Sequence, residues 1–162
     1  PTNLPANMYS YYIRNLYLDN KLIQSNALTR CGVPVDLRNI KTSSYFLSTL
    51  EDHIAPWKTT FNSTELFAGP IEFVLGASGH IAGVINPPKK KKRNYWIGGE
   101  LGKGPDHWQT TAKSEAGSWW PHWSAWLKKQ GGHEIPAPQE LGNTKYRVIE
   151  AAPGRYVTKR LN

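Results

Sequence analysis

The spacing between hydrophobic residues differs from one segment of the chain to the next, and each spacing predicts a different secondary-structure element. Apolar side chains recur at helical spacing near the start, which predicts an amphipathic helix over residues 6–22. Two short β-prone runs, residues 44–50 and 71–76, are separated by a plausible helix at 57–68 that ends before Gly69-Pro70. A strand, a helix and a second strand in this order form a βαβ unit, which favours a parallel sheet.

The rest of the chain gives weaker signals, with two convincing strands in all. We expect a turn and an edge strand or connector at 31–41, a surface loop at 87–93, a Gly-rich loop at 96–105, and helices at 105–114 and 119–130. The second helix carries four Trp residues, which we expect to be buried against their own domain. We therefore expect an α/β region at 1–130, followed by a C-terminal tail at 131–162 that packs on it.

Composition narrows the class of protein without fixing its function. The 162 residues are 39% hydrophobic, which suffices for a core, and they carry a net charge of +8. This charge suits a phosphate-bearing partner as well as it suits plain solubility. The basic run Lys89–Arg93 could bind nucleic acid or mark nuclear import, but a charged loop is the better expectation because no aromatic platform or recognition helix flanks it. We expect no nucleic-acid partner and no transmembrane segment, and the opening Pro1 suggests a piece of a longer protein.

Asp52 and His80 are the candidate catalytic residues. Each follows one strand of the predicted βαβ unit, and the carboxyl ends of parallel strands lie at one edge of a sheet, so we expect the two side chains to lie within hydrogen-bond reach there. An Asp and then a His after such strands is also the chain order that follows the nucleophile of α/β-hydrolases. The simpler alternative is that Asp52 caps the next helix and His80 is an ordinary loop residue.

A nucleophile to complete a triad is missing from the sequence. The segment 76–80 reads GASGH, which departs from a G-x-S-x-G elbow at its last position. Cys31 lacks elbow flanks, and we expect it to be a buried structural thiol that is dispensable for chemistry. As the single cysteine it excludes a disulfide within the chain and fits a reducing compartment.

Several long strings identify a family resemblance that covers residues 2 to about 160. The chain resembles the class I polyhydroxyalkanoate synthases, and the most specific string is the one that contains His80. The strings are NLPANMYSYYIRNLYLDNKL (3–22), LEDHIAPW (50–57), GASGHIAGVINPP (76–88), GSWWPHWSAWL (117–127) and APGRYV (152–157).

The resemblance implies the C-terminal portion of an α/β-hydrolase fold and an acyltransferase that polymerises (R)-3-hydroxyacyl-CoA into polyester with release of CoA. The family's catalytic Asp and His fall on Asp52 and His80, and its nucleophilic Cys lies upstream of this chain. His53 and Asn20 are candidates for lining the substrate path. The resemblance implies no cofactor and no metal, a homodimer, and a cytoplasmic enzyme at the polyester granule surface.

Two other functions stay open at this point. An upstream Ser elbow would make the chain the end of a hydrolase such as a polyester depolymerase, and a gene encoding only these residues would indicate a non-catalytic, granule-associated module. Under every hypothesis we expect the chain alone to be inactive. We also expect poor stability, because Phe46, Leu50, Phe73 and Leu75 would lack the elements that bury them.

Overall fold

The computed structural model of the chain describes residues 4–160, and it begins with an irregular helical arm. The arm runs through α1 (Ala6–Tyr12), a π-helical segment (Ile13–Leu18) and a 3-10 turn (Lys21–Ile23). The single helix predicted over 6–22 is therefore only partly right. No residue of the first two segments is buried, so no packing enforces a regular helix, and Asn20 breaks it with a positive φ of 44°.

A short antiparallel hairpin follows the arm. Strands β1 (Leu28–Arg30) and β2 (Val33–Val35) are joined by Cys31 and Gly32, whose φ angles are +48° and +79°. Two positive φ values in a two-residue turn match the twist of a hairpin. Cys31 is exposed at this turn, so the expectation of a buried thiol is wrong.

The central sheet has four strands in the order β3 (Ser44–Thr49), β4 (Ile71–Gly76), β5 (Asn94–Ile97) and β6 (Lys113–Ala116). The first pair is parallel, as the βαβ pattern predicts, and both other pairs are antiparallel. The sequence indicated two convincing strands and a parallel sheet, whereas the described chain has six strands and a mixed central sheet.

Strands β5 and β6 lie where we expected a loop and the end of a helix. Tyr95 and Trp96 are β-prone but stand directly before Gly98 and Gly99, which made the run resemble a loop. The segment of β6, KSEA, has no β-signal of its own and forms a strand because β5 offers a pairing edge. The helix expected at 105–114 consequently ends at Thr111.

Three α-helices follow the hairpin, and short 3-10 turns lie at Leu37–Asn39, Pro88–Lys90 and Tyr156–Thr158. The helices are α2 (Trp57–Phe61), which continues as a 3-10 turn to Glu65, α3 (Pro105–Thr111) and α4 (Trp120–Gln130). The first two enclose an aromatic core on the sheet, and Phe46 and Leu50 pack against it. The buried members of this core are Trp57, Phe61, Phe73, Leu75 and Trp108.

The burial pattern corrects one expectation and leaves another open. Phe73 and Leu75 are 2% and 0% exposed, so the chain itself covers two of the side chains expected to lack partners. Residues 131–160 are exposed apart from the half-buried Gly154, and the domain division at residue 130 stays a prediction. None of the helices described between residues 4 and 160 combines the length and the apolar character needed to cross a membrane.

Candidate functional site

The carboxyl ends of β3 and β4 bring the two candidate catalytic residues to one place. The strands are in parallel register up to Thr49 and Gly76, their last residues. Pairing continues past them, because Leu50 donates its N–H to the carbonyl of Gly76 at 2.8 Å and Glu51 donates to that of Ser78 at 3.0 Å. The loops that carry Asp52 and His80 therefore leave the sheet side by side.

The side chains of Asp52 and His80 form a direct hydrogen bond. Nδ1 of His80 lies 2.8 Å from Oδ2 of Asp52, which confirms their predicted proximity. The second carboxylate oxygen, Oδ1, accepts from the backbone N–H groups of Ile54 and Ala55, both at 2.9 Å. Three donors thus hold the carboxylate in one orientation, and the side chain of Asp52 is only 9% exposed.

Electrostatics determine which partner carries the proton. The backbone N–H of Ala55, followed by the hydrogen bond from His80, lowers the pKa of Asp52 from 3.8 to about 2. Asp52 is therefore ionised near neutral pH and can only accept, so Nδ1 of His80 must be the donor. In the neutral imidazole this places the lone pair on Nε2, and the side chain of His80 is 46% exposed. A ring in this state can take a proton at Nε2 while the carboxylate stabilises the resulting charge.

The simpler interpretation of Asp52 as a helix cap accounts for only part of this geometry. Its carboxylate does bond to the turn before α2, yet α2 itself begins after Pro56 and receives no side-chain cap. Oδ1 makes the turn contacts and Oδ2 stays available to His80. The same local turn therefore fixes the carboxylate and orients it toward the imidazole.

The other sequence candidates lie apart from the Asp52–His80 pair. His53 is exposed next to Asp52 in the chain. Asn20 is exposed at a separate cleft of about 560 Å³, bounded by α2 and its 3-10 turn, whose lining does not include Asp52 or His80. Cys31 is at the tip of the β1–β2 hairpin, without the strand and helix of a nucleophile elbow. Roles for His53 and Asn20 stay predictions.

Sequence reasoning missed the groups that fix the two loops in place. The backbone donors at Ile54 and Ala55 had a usable signal, because an Asp two or three residues before such N–H groups and ahead of a Pro favours this turn. The indole donors of Trp119 and Trp120 to the loop after His80 had none, since they depend on tertiary packing. Within residues 4–160, no group of three or more His, Cys, Asp or Glu side chains is arranged to hold a metal ion.

Comparison with known proteins gives consistent relatives. The chain is 52% identical over 156 residues to the poly(3-hydroxyalkanoate) polymerase subunit PhaC of Cupriavidus necator, covering 96% of this chain and 26% of that protein. It is 43% identical over 159 residues to the subunit of the same name in Rhizobium meliloti, covering 98% of this chain and 26% of that protein. Poly(3-hydroxyalkanoate) polymerase 1 of Ectopseudomonas oleovorans is 42% identical over 159 residues, with coverages of 98% and 28%.

These relatives match nearly the whole chain, but the chain spans only about a quarter of their length. No family model matches the sequence. The similarity extends across the strands and loops that carry Asp52 and His80. About three quarters of each relative has no counterpart in these 162 residues.

Proposed function

Because this chain is a homologue of the poly(3-hydroxyalkanoate) polymerases, we propose that it supplies the Asp–His pair of an acyltransferase that polymerises (R)-3-hydroxyacyl-CoA. The observation that carries the proposal is the 2.8 Å contact between His80 and a carboxylate held by two further donors. The fold that presents the pair is then the C-terminal portion of an α/β-hydrolase fold. The nucleophile is a Cys on a part of the protein outside residues 1–162.

The acylation step assigns a role to each atom of the pair. Nε2 of His80 takes the thiol proton of the Cys, and the thiolate attacks the thioester carbonyl of the substrate. A carbon–sulfur bond forms to the enzyme, the bond to CoA breaks, and the leaving thiolate recovers the proton from His80. Asp52 stays ionised and stabilises the imidazolium throughout.

Chain growth needs a base for the 3-hydroxyl of the next unit, and the geometry favours His80 for this step as well. The carboxylate of Asp52 already accepts three hydrogen bonds, and its pKa of about 2 makes it a weak base. Nε2 of His80 is the remaining basic atom of the pair. It takes the hydroxyl proton while the oxygen attacks the acyl-Cys carbonyl, and the Cys thiol is then regenerated.

Cys31 is a poor candidate for the nucleophile. It lies on an exposed hairpin turn, whereas an elbow nucleophile stands between a strand and a helix with an oxyanion hole behind it. We therefore propose that the chain alone releases no CoA. Its proposed partners are the CoA thioester, the growing polyester and a second copy of the whole enzyme, at the granule surface in the cytoplasm.

The relatives' names favour one of the two enzymatic alternatives. The Asp52–His80 geometry suits a polyester depolymerase equally well, since both reactions need the same base and orienting carboxylate. The three relatives compared are named as polymerases. This agreement favours the transferase.

A chimera tests the proposal directly. Residues 2–160 would replace the matching quarter of the Cupriavidus necator polymerase, and CoA release from 3-hydroxybutyryl-CoA would be measured. We expect activity in the chimera and a loss of about 10³-fold or more on His80→Ala. Asp52→Asn should lower the rate strongly as well, whereas Cys31→Ser should leave most turnover intact.

Three results would contradict the proposal. A chimera that folds but has no activity would contradict the proposed transferase function. An active chimera that His80→Ala does not affect would contradict the catalytic role of the pair. Sustained CoA release by the 162-residue chain alone would show that it contains its own nucleophile.

A further inference from the structure

The loop that carries His80, residues 77–86, has little hydrophobic burial to hold it. We call it the His80 loop. It leaves β4 at Gly76 and contains three internal backbone hydrogen bonds. Gly83 N–H donates to the carbonyl of Gly79 and Ile85 N–H to that of Ile81, both at 2.8 Å, and Asn86 N–H donates to that of Val84 at 3.1 Å. Ile81 and Ile85 are 73% and 59% exposed. Contacts other than apolar packing must therefore fix where the loop lies.

Two adjacent indoles at the start of α4 bond to the backbone of this loop. Nε1 of Trp119 donates to the carbonyl of Gly83 at 3.2 Å, and Nε1 of Trp120 donates to the carbonyl of Val84 at 2.9 Å. Both indoles are half-buried, and a partly buried indole N–H normally has an acceptor. The carbonyls at 83 and 84 lie three and four residues beyond His80, so the indoles bond to the same short loop that carries the imidazole.

The position of α4 is itself tied to the strand that precedes Asp52. The hydroxyl of Tyr45 on β3 lies 3.0 Å from Nδ1 of His122, and the ring of Trp126 meets that of Tyr45 edge-on at 5.4 Å. Both His122 and Trp126 are residues of α4. Strand β3 is therefore connected to the His80 loop through α4, in addition to the direct Asp52–His80 and Glu51–Ser78 hydrogen bonds.

A third polar contact fixes the far end of the loop. Asn86 is 2% exposed, and its Nδ2 donates to the carbonyl of Lys92 at 3.1 Å and to that of Gly117 at 3.4 Å. Gly117 lies two residues before Trp119, so Asn86 and the indoles attach the loop to the same short segment. The loop is thus held at β4 on one side and at the entry to α4 on the other.

We propose that Trp119 and Trp120 are positioning residues for His80: their indole N–H groups hold the carbonyls of Gly83 and Val84 so that the imidazole meets Asp52 in the correct tautomer. The inference rests on the proposed function of the pair. Neither indole bonds to the imidazole or to the carboxylate, so each acts through the loop. The bond from Trp120 is the shorter of the two, so Trp120 is the first residue to test.

The test is a spectroscopic measurement on the 162-residue chain with ¹⁵N-labelled histidine. Long-range ¹H–¹⁵N correlation reports which ring nitrogen of His80 is protonated, and a His80→Gln sample identifies the signals. In the parent chain we expect the Nδ1–H tautomer. Trp120→Phe keeps an aromatic ring and removes the N–H, and the ratio of Nδ1–H to Nε2–H should fall about five- to tenfold, the loss of one ordinary hydrogen bond.

A matched control separates positioning from general packing. Trp123 lies on the same helix, lines the same apolar groove as Trp119 and Trp120, and is 41% exposed, and no hydrogen bond from its indole is found in the described chain. Trp123→Phe should leave the tautomer ratio unchanged. If Trp120→Phe unfolds the chain, the benzothiophene analogue of tryptophan at position 120 keeps the bicyclic shape and replaces only the N–H.

The outcomes are distinct for the two proposals. An unchanged His80 tautomer in folded Trp120→Phe and in the Trp119→Phe/Trp120→Phe double variant would overturn the positioning role, as would an equal change in Trp123→Phe. If the parent chain already shows the Nε2–H tautomer, the proposed catalytic role of the Asp52–His80 pair is contradicted, because Nδ1 then does not donate to Asp52. In the active chimera, Trp120→Phe should lower kcat about tenfold with less than a twofold change in KM. A change in KM alone would also contradict the proposal.

Discussion

The parallel part of the central sheet (β3 and β4, with α2 between them) and the antiparallel part (β5 and β6, with α3 between them) contribute differently to the protein. Four of the six residues of β4 are buried, and the loops after β3 and β4 carry both members of the Asp52–His80 pair. By contrast, β6 has no buried residue, and neither β5 nor β6 carries a member of the pair. The parallel part carries the candidate catalytic pair, and the antiparallel part extends the sheet to an exposed edge at β6.

The antiparallel part nevertheless supplies a side chain to the core of the parallel part. Trp108 of α3 is 1% exposed and meets Phe73 of β4 edge-on at 4.9 Å. Gly99, just after β5, lies so close to Trp108 that a Cβ there would come within 2.3 Å of its carbonyl oxygen. The two parts of the sheet are therefore one packing unit, although only one of them presents the pair.

The largest expected effect tests whether the two parts are one unit. Trp108→Ala removes the side chain that fills the core from the antiparallel side, and we expect the free energy of unfolding to fall by about 3–5 kcal/mol. Denaturant unfolding monitored by circular dichroism measures this change. Trp123→Ala, which truncates a 41% exposed Trp, is the control and should cost much less. Equal losses in both variants would show that Trp108 does not join the two parts.

The next effect concerns the junction between the His80 loop and the end of β3. A Cβ on Gly83 would lie 2.4 Å from Cγ2 of Thr49 and 2.8 Å from the carbonyl oxygen of Ala77. Gly83→Ala should therefore destabilise the chain by about 1–3 kcal/mol and displace the loop. Gly132→Ala is the control, because nothing lies within 4 Å of its Cβ position. A neutral Gly83→Ala would mean that the loop moves freely against β3.

A smaller effect is a pH dependence that belongs to the parallel part alone. The pKa of Asp52 falls from 3.8 in the unfolded chain to about 2 when folded, so its ionised form stabilises the fold above about pH 4. This stabilisation is lost as the pH falls through about 4 toward 2. The difference in Tm between the parent and Asp52→Asn should shrink as the pH falls from about 4 toward 2. A difference that grows as the pH falls through this range would contradict the assigned pKa.

The contrast between the two parts also explains how much could be predicted from the sequence. The bounds of strands β3 and β4 were predicted to within one residue, because each strand is a run of apolar, β-prone residues that reflects its burial. The order of Asp52 and His80 after them predicted their contact. Strand β6 has a polar sequence and forms only because it pairs with β5. Its own residues therefore could not predict it.

Three other features of the structure were wrongly predicted or missed, each for its own physical reason. The arm was predicted as one helix from its spacing, but helical spacing without burial does not enforce one hydrogen-bond pattern, and the segment becomes π-helical after Tyr12. Cys31 was expected to be a buried structural thiol because it lacks the flanks of a nucleophile elbow, whereas it lies exposed in the turn at 31–32. The indole donors of Trp119 and Trp120 are long-range contacts that no local pattern encodes.

The smallest expected effect is a surface contact between the helices of the two parts. Lys58 of α2 and Asp106 of α3 form an ion pair with Nζ 2.5 Å from Oδ1, and their side chains are 53% and 77% exposed. Exposed pairs stabilise proteins by only about 0.2–1 kcal/mol, because water and salt screen them and both side chains lose rotamer freedom. A double-mutant cycle with Lys58→Met and Asp106→Asn should give a coupling energy in this range that disappears in about 1 M salt. The pair Lys113–Glu115, which lies within β6, is the matched control, because removing it cannot change how the two parts are joined. A salt-insensitive coupling well above this range would mean that charge, in addition to Trp108, holds the antiparallel part against the parallel one.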